Sequence, residues 1–104
     1  VTGRYDYVSD GNRLVRIDNG HPLLTVVTGT GCMATSVIAA WTAVAQDPFL
    51  AAAGALAAYG VAAEIAAEKA DGPGTFQANL FDAVYNLNAE HLRDRLKISV
   101  NMEV

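Results

Sequence analysis

The sequence predicts an α/β fold, on three observations. An apolar run ending Leu23-Leu24-Thr25-Val26-Val27 stops at Thr28-Gly29-Thr30-Gly31-Cys32, and a long helical pattern starts at Met33, so a strand feeds a helix through a glycine turn. Two β-prone runs, Tyr5-Asp6-Tyr7-Val8 and Arg13-Leu14-Val15-Arg16-Ile17, flank Ser9-Asp10-Gly11-Asn12, whose Asp-Gly pair signals a tight hairpin. Helical periodicity then dominates the second half, and residues 97–104 alternate Ile98, Val100, Met102 and Val104 onto one face, as a terminal edge strand does.

Along the chain, Val1-Thr2-Gly3 reads as the tail of a strand whose start lies upstream, so the sequence is expected to begin in mid-fold. After the hairpin, Asp18-Asn19-Gly20-His21-Pro22 is a turn; Pro22 removes a donor and pushes His21 away from helical geometry, which makes His21 a loop residue. From Met33 to Ala45 apolar side chains lie on nearly every face, which predicts a helix buried on all sides. Asp47-Pro48 supplies an N-cap and a first-turn proline for a second helix running to Ala70, with Gly54 and Gly60 where another helix can come close. Asp71-Gly72-Pro73-Gly74 ends it. Thr75 is the expected cap of a third, amphipathic helix with the stripe Phe76, Leu80, Val84 and Leu87; the polar stretch Asn88–Leu96 either extends that helix or forms a short one.

Composition limits what this frame can do. The 104 residues correspond to one domain or a piece of one, 52% hydrophobic and 17% charged, against roughly 25% charged in an ordinary soluble domain. So little charge implies that much apolar surface is covered by protein outside these residues. Seven basic against eleven acidic residues give a net charge of −4, and no basic cluster is interleaved with aromatics, which argues against nucleic-acid binding. The single cysteine cannot form an internal disulfide. No signal segment is read at the start, and the uncharged run Pro48–Ala63 is shorter and more alanine-rich than a membrane span requires. The expected setting is the cytosol, with no membrane partner.

The glycine turn is the candidate site. Gly29 and Gly31 allow close backbone approach, and the first amides of the following helix have no intrahelical partner. With the positive end of the helix dipole they favour an anion, most often a phosphate. Cys32 lies in the same field, which stabilises a thiolate; against that stands the plainer reading of a buried, inert cysteine in a glycine turn. Gly29–Ala34 fits G-x-G-x-x-A, but a dinucleotide fold needs a following strand with an acidic residue about 20 positions on, whereas Asp47 caps a helix. A Walker loop lacks its Lys-Ser or Lys-Thr. A cysteine–histidine pair would need His21 or His91 folded onto Cys32, which the spacing does not support. Anion binding by the helix start, with Cys32 beside the reacting group, is the reading that is left.

Val26-Val27-Thr28-Gly29-Thr30-Gly31-Cys32, preceded by Asn19–Thr25 and followed by Gly72-Pro73-Gly74-Thr75-Phe76, resembles the C-terminal part of the hydroxyethylthiazole kinase family, in the ribokinase-like superfamily. The opening Val1–Gly11 is similar as well, so the resemblance spans nearly the whole chain. It implies a three-layer α/β/α fold, of which this chain carries late strands, a β-hairpin and three C-terminal helices. It also implies ATP-dependent phosphorylation of 4-methyl-5-(2-hydroxyethyl)thiazole on the way to thiamine, with Mg²⁺ and a homotrimer whose sites lie between subunits. An absent N-terminal part would carry most of the thiazole pocket, the Mg²⁺ carboxylates and a phosphate-binding arginine.

By the same resemblance Thr2 contacts the nucleotide, Gly29 contacts substrate, and Thr30, Gly31 and Cys32 complete the anion hole. Cys32 stands where superfamily relatives usually place an aspartate that accepts the alcohol proton; its role is either that base or substrate positioning. Arg4 occupies a position where an acidic residue is expected in many relatives. The alternatives are another ribokinase-like small-molecule kinase, or a non-catalytic, helix-rich interaction domain that retains a glycine turn; dependence of nucleotide binding on Gly29 and Gly31 would separate a kinase from the interaction domain. Expressed alone, the 104 residues are expected to lack kinase activity and to form no stable monomer.

Overall fold

The computed structural model describes residues 1–101. Its hairpin follows the Asp-Gly signal: β1 (Asp6–Ser9) pairs antiparallel with β2 (Leu14–Ile17). The Asp10 carboxylate accepts the Asn12 and Arg13 amides at 2.9 and 2.7 Å, and Gly11 takes the left-handed backbone (φ 93°) that closes the turn. A third strand, β3 (Ile98–Asn101), pairs antiparallel along the other side of β2, giving the order β1-β2-β3. The expected terminal edge strand is therefore present; residues 102–104, with Met102 and Val104 of its alternation, lie outside the described residues.

Two strand expectations are corrected. Val1-Thr2-Gly3 is not a strand, although the Tyr7 amide donates to the Val1 carbonyl at 2.8 Å. The apolar run before the glycine turn is not a strand either. Pro22–Thr25 winds into a 3-10 turn, because Pro22 fits its first position, His21 Nδ1 accepts the Leu23 amide at 3.1 Å, and the Thr25 hydroxyl donates back to the Pro22 carbonyl at 2.7 Å. Local capping overrides β propensity in this run. The described sheet is wholly antiparallel, unlike the parallel strands that a strand–turn–helix unit implies.

Four helices follow: α1 (Thr30–Val44), α2 (Pro48–Glu68), α3 (Pro73–Asn86) and α4 (Ala89–Arg95). The core lies around α2, against which α1, α3 and the Val15/Ile17 face of the sheet pack. Phe76, Ile17, Leu80 and Val61 are its largest fully buried side chains. Asp47 caps α2 as expected, accepting the Phe49 amide at 3.0 Å, with Pro48 in the first turn. Gly54 admits Trp41 of α1: a Cβ there would lie 2.6 Å from the indole ring. α2 extends past the uncharged run and is long and apolar enough to cross a bilayer, yet 72% of its most apolar window is buried inside the protein, as in a core helix.

α1 departs from its expected burial on all sides. Ala34 alone is buried, and Thr35, Ser36, Ala39, Ala40 and Val44 are exposed, because the described elements cover only the side facing α2. α3 starts at Pro73 rather than after a Thr75 cap; Gly72 accepts the Phe76 amide at 2.9 Å. Its stripe is as expected, with Phe76 and Leu80 buried and Val84 and Leu87 half-buried. Asn88–Leu96 resolves into the separate short helix, closed by a reciprocal Asn88–His91 capping box.

Candidate functional site

Between the start of α1, one face of α2 and the segment after β2 lies an open cleft of about 640 Å³. The walls are set by α2. Asn19, 6% exposed, donates from Nδ2 to Glu64 Oε2 at 2.8 Å and to the Arg95 carbonyl at 2.7 Å, while its Oδ1 accepts the Lys97 amide at 2.8 Å. Glu64 Oε2 also accepts the Gly20 amide at 3.1 Å. One side chain thus joins the segment after β2, the C-terminal turns of α2, the end of α4 and the residue before β3, and every hydrogen-bonding position it uses is filled, as burial demands.

At the other end of the cleft, Gly29 has φ 93° and is the N-cap of α1, a left-handed geometry that favours glycine. No side chain caps this helix, and Met33 N–H is the amide that bonds back to the Gly29 carbonyl, at 2.9 Å. The amides of Thr30, Gly31 and Cys32 therefore form an uncapped first turn, without intrahelical partners. Gly31 itself is helical, with open space where a Cβ would stand, so its freedom lies in clearance and not in a positive φ.

The structure brings Thr2, Thr30 and Gly31 to the cleft, together with Arg4, Asp6, Asp18, His21 and Tyr59. Gly29 and Cys32 stand on the same turn but do not line it; Cys32 is exposed, not the buried cysteine of the plainer reading. Thr30 faces inward: its hydroxyl donates to the Leu24 carbonyl at 2.7 Å, with the Val27 carbonyl at 3.3 Å, so what it offers an anion is its amide. Neither histidine engages Cys32. His21 caps the 3-10 turn and His91 caps α4.

Electrostatics at the cleft mouth are mixed. Arg4 pairs with Asp18 and stacks its guanidinium 4.8 Å from the Tyr5 ring centroid, so the unexpected basic residue here has an acidic partner. Burial pushes the Asp6 carboxyl above its ordinary value, against the opposing pull of the Gly3 amide. Burial likewise pushes the Tyr59 phenol up to about 12. Among the described residues no group of three His, Cys, Asp or Glu side chains could hold a metal ion.

Tyr59, Asn19 and Glu64 escape sequence reasoning. Asn19-Gly20 reads as ordinary turn chemistry, Glu64 as the wet end of a helix, and Tyr59 as one more large side chain in an apolar run. The signal that could have found Tyr59 is its hydroxyl, the one polar side-chain atom between Pro48 and Ala63.

Fold and site together define an α/β protein with a glycine-framed, uncapped helix start facing a cleft, a geometry suited to phosphate. The model of the hydroxyethylthiazole kinase family matches residues 1–90, and the chain belongs to that family. It is 58% identical over 98 residues to the hydroxyethylthiazole kinase of Moorella thermoacetica, covering 94% of this chain and 37% of that protein. To the hydroxyethylthiazole kinase of a Roseiflexus species (strain RS-1) it is 51% identical, covering 94% and 36%. The solved structure of the hydroxyethylthiazole kinase protein from Pyrococcus horikoshii OT3 superposes with a TM-score of 0.94 at 44% identity, covering 97% of this chain and 39% of that one. The chain thus spans somewhat over a third of the length of these relatives.

Proposed function

We propose that these residues are the C-terminal part of a kinase that transfers the γ-phosphoryl group of ATP to the primary alcohol of 4-methyl-5-(2-hydroxyethyl)thiazole, in the supply of thiamine. The observation that carries this reading is the uncapped start of α1, framed by Gly29 and Gly31 at the edge of a cleft, in a chain of this family. Phosphoryl transfer asks the protein mainly to position reactants and to stabilise charge spread over the transferring group. Backbone amides fixed at a helix start meet that need without reorganising.

In this reading the amides of Thr30, Gly31 and Cys32 hold the transferring phosphoryl group, Gly29 lets the substrate approach the turn, and Thr2 at the cleft contacts the nucleotide. The alcohol oxygen attacks the γ-phosphorus, the bond to the β,γ-bridging oxygen breaks, ADP leaves, and the alcohol proton passes to Cys32 Sγ if that group is the base. Mg²⁺ neutralises phosphate charge when bound, and its ligands come from outside the described residues. Apolar side chains left exposed here, among them Val44 (87%) and Tyr85 (89%), support cover by further protein, in our reading the N-terminal part of the fold and neighbouring subunits of a cytoplasmic homotrimer.

The complete protein, incubated with Mg-ATP and the thiazole alcohol, should yield the thiazole phosphate and ADP in equal amounts. Failure to phosphorylate that alcohol, in a folded preparation that binds ATP, would move the assignment to another small-molecule alcohol.

A further inference from the structure

We propose that Tyr59 is a positioning residue for this phosphoryl transfer: by donating its hydroxyl to the Thr30 carbonyl it ties the first turn of α1 to α2 and fixes that turn at the cleft. The inference rests on the kinase reading above. The Tyr59 hydroxyl lies 2.9 Å from the Thr30 carbonyl oxygen, and the tyrosine, 6% exposed, borders the cleft.

Packing does not account for this hydroxyl. From Pro48 to Ala63 every other side chain of α2 is hydrocarbon or glycine, and phenylalanine would fill the same volume. A hydroxyl placed in such surroundings is tolerated only when bonded, and because the Thr30 carbonyl also accepts the helical amide of Ala34 four residues on, removing the hydroxyl leaves no orphaned acceptor and costs little stability. The bond it makes is directed at the one turn of α1 that carries free amides.

Thr30 passes the restraint on. Its carbonyl accepts from Tyr59 while its hydroxyl donates to Leu24 at 2.7 Å, so the helix start and the 3-10 turn are held as one body. The far end of the segment is held by Glu64, which accepts the amides of Asn19 and Gly20. Residues 19–32 are therefore fastened to α2 at both ends. Removing the Tyr59 bond leaves the Asn19 end fixed and frees the end that carries Gly31 and Cys32. Reacting groups tolerate little displacement: a shift of about 1 Å costs on the order of 10²-fold in rate.

The test is Tyr59→Phe in the complete kinase, with steady-state kinetics, thermal unfolding, and amide hydrogen exchange at Met33 and Ala34, the first hydrogen-bonded amides of α1. The expected result is a kcat lowered about tenfold or more, with KM for the thiazole alcohol within about threefold and the unfolding midpoint nearly unchanged. A purely structural tyrosine would instead lower the midpoint and leave kcat alone. A kcat within about twofold of wild type overturns the proposal, whatever the exchange shows. If the wild-type protein itself leaves the thiazole alcohol unphosphorylated, the functional reading has failed and exchange decides alone. Exchange about tenfold faster at Met33 and Ala34 then supports the tie, and unchanged exchange overturns it.

Discussion

Asn19 sits so close to Gly60 that a Cβ built on the glycine would lie 2.8 Å from the carbonyl oxygen of the asparagine. What approaches α2 at this point is a loop, not the helix that its small residues imply. The contact lets the Asn19 side chain reach Glu64, the Arg95 carbonyl and the Lys97 amide at once. Gly60→Ala in the complete protein should therefore destabilise by about 1–3 kcal/mol, because backbone and not a flexible side chain stands in the way. Denaturant unfolding measures it, and a loss below about 0.5 kcal/mol would show that the loop yields easily.

Gly31 is the counter-case. Its backbone is helical and nothing lies within 4 Å of a Cβ placed there, so Gly31→Val should fold with an unfolding midpoint near wild type. Phosphoryl transfer should nevertheless be lost, since the branched side chain fills the space in front of the free amides. Normal melting with full activity would mean that no phosphate binds at this turn.

Cys32→Ala in the complete protein should lower turnover of the proposed phosphoryl transfer more than it weakens ATP binding, by about 10²- to 10⁴-fold if the thiol is the general base. Cys32→Asp should retain or raise turnover. Steady-state kinetics set against ATP affinity measured by calorimetry separate the two effects. Unchanged turnover in Cys32→Ala would leave Cys32 with no part in the chemistry.

Acid should weaken the hairpin through Asp10. The Asn12 and Arg13 amides, followed by the Arg13 guanidinium, hold its carboxyl at about 2, below the ordinary 3.8. A depressed folded value means that the stabilisation is present above about pH 4 and is lost as pH falls toward 2. The raised Asp6 carboxyl contributes in the opposite sense, its share being lost as pH rises through its folded value. Unfolding midpoints of the complete protein measured from pH 6 to 2 should fall less steeply in Asp10→Asn than in wild type; identical slopes would exclude Asp10 as a source of the acid sensitivity.

Most of the fold and part of the site can be read from residue order, because short-range chemistry sets them. Asp10-Gly11 closes its hairpin with groups two and three residues apart, Asp47-Pro48 starts α2 through its own carboxylate, and the spacing of Phe76 and Leu80 selects the buried face of α3. Gly29 and Gly31 mark the uncapped start of α1 for the same reason. Where two local preferences compete, the sequence misleads: Leu23–Val27 is β-prone, but Pro22, His21 and Thr25 together stabilise a 3-10 turn.

Only the tertiary structure decides what surrounds that helix start. The Tyr59 hydroxyl finds the Thr30 carbonyl 29 positions away, and Asn19 joins Glu64 at a separation of 45 and Lys97 at 78. Such partners are chosen by how α2 lies across the sheet and against α1, and no periodicity encodes that. The burial of α1 is decided in the same way: composition shows a helix apolar on nearly every face, but which face is covered depends on which elements come to lie beside it. Sequence alone thus determined the turn that presents its amides and the caps that start the helices, since each is built from neighbours. The cleft, its mixed charges and the tyrosine behind its wall were decided by long-range packing, because a hydrogen bond between distant residues exists only once the core has brought them within 3 Å.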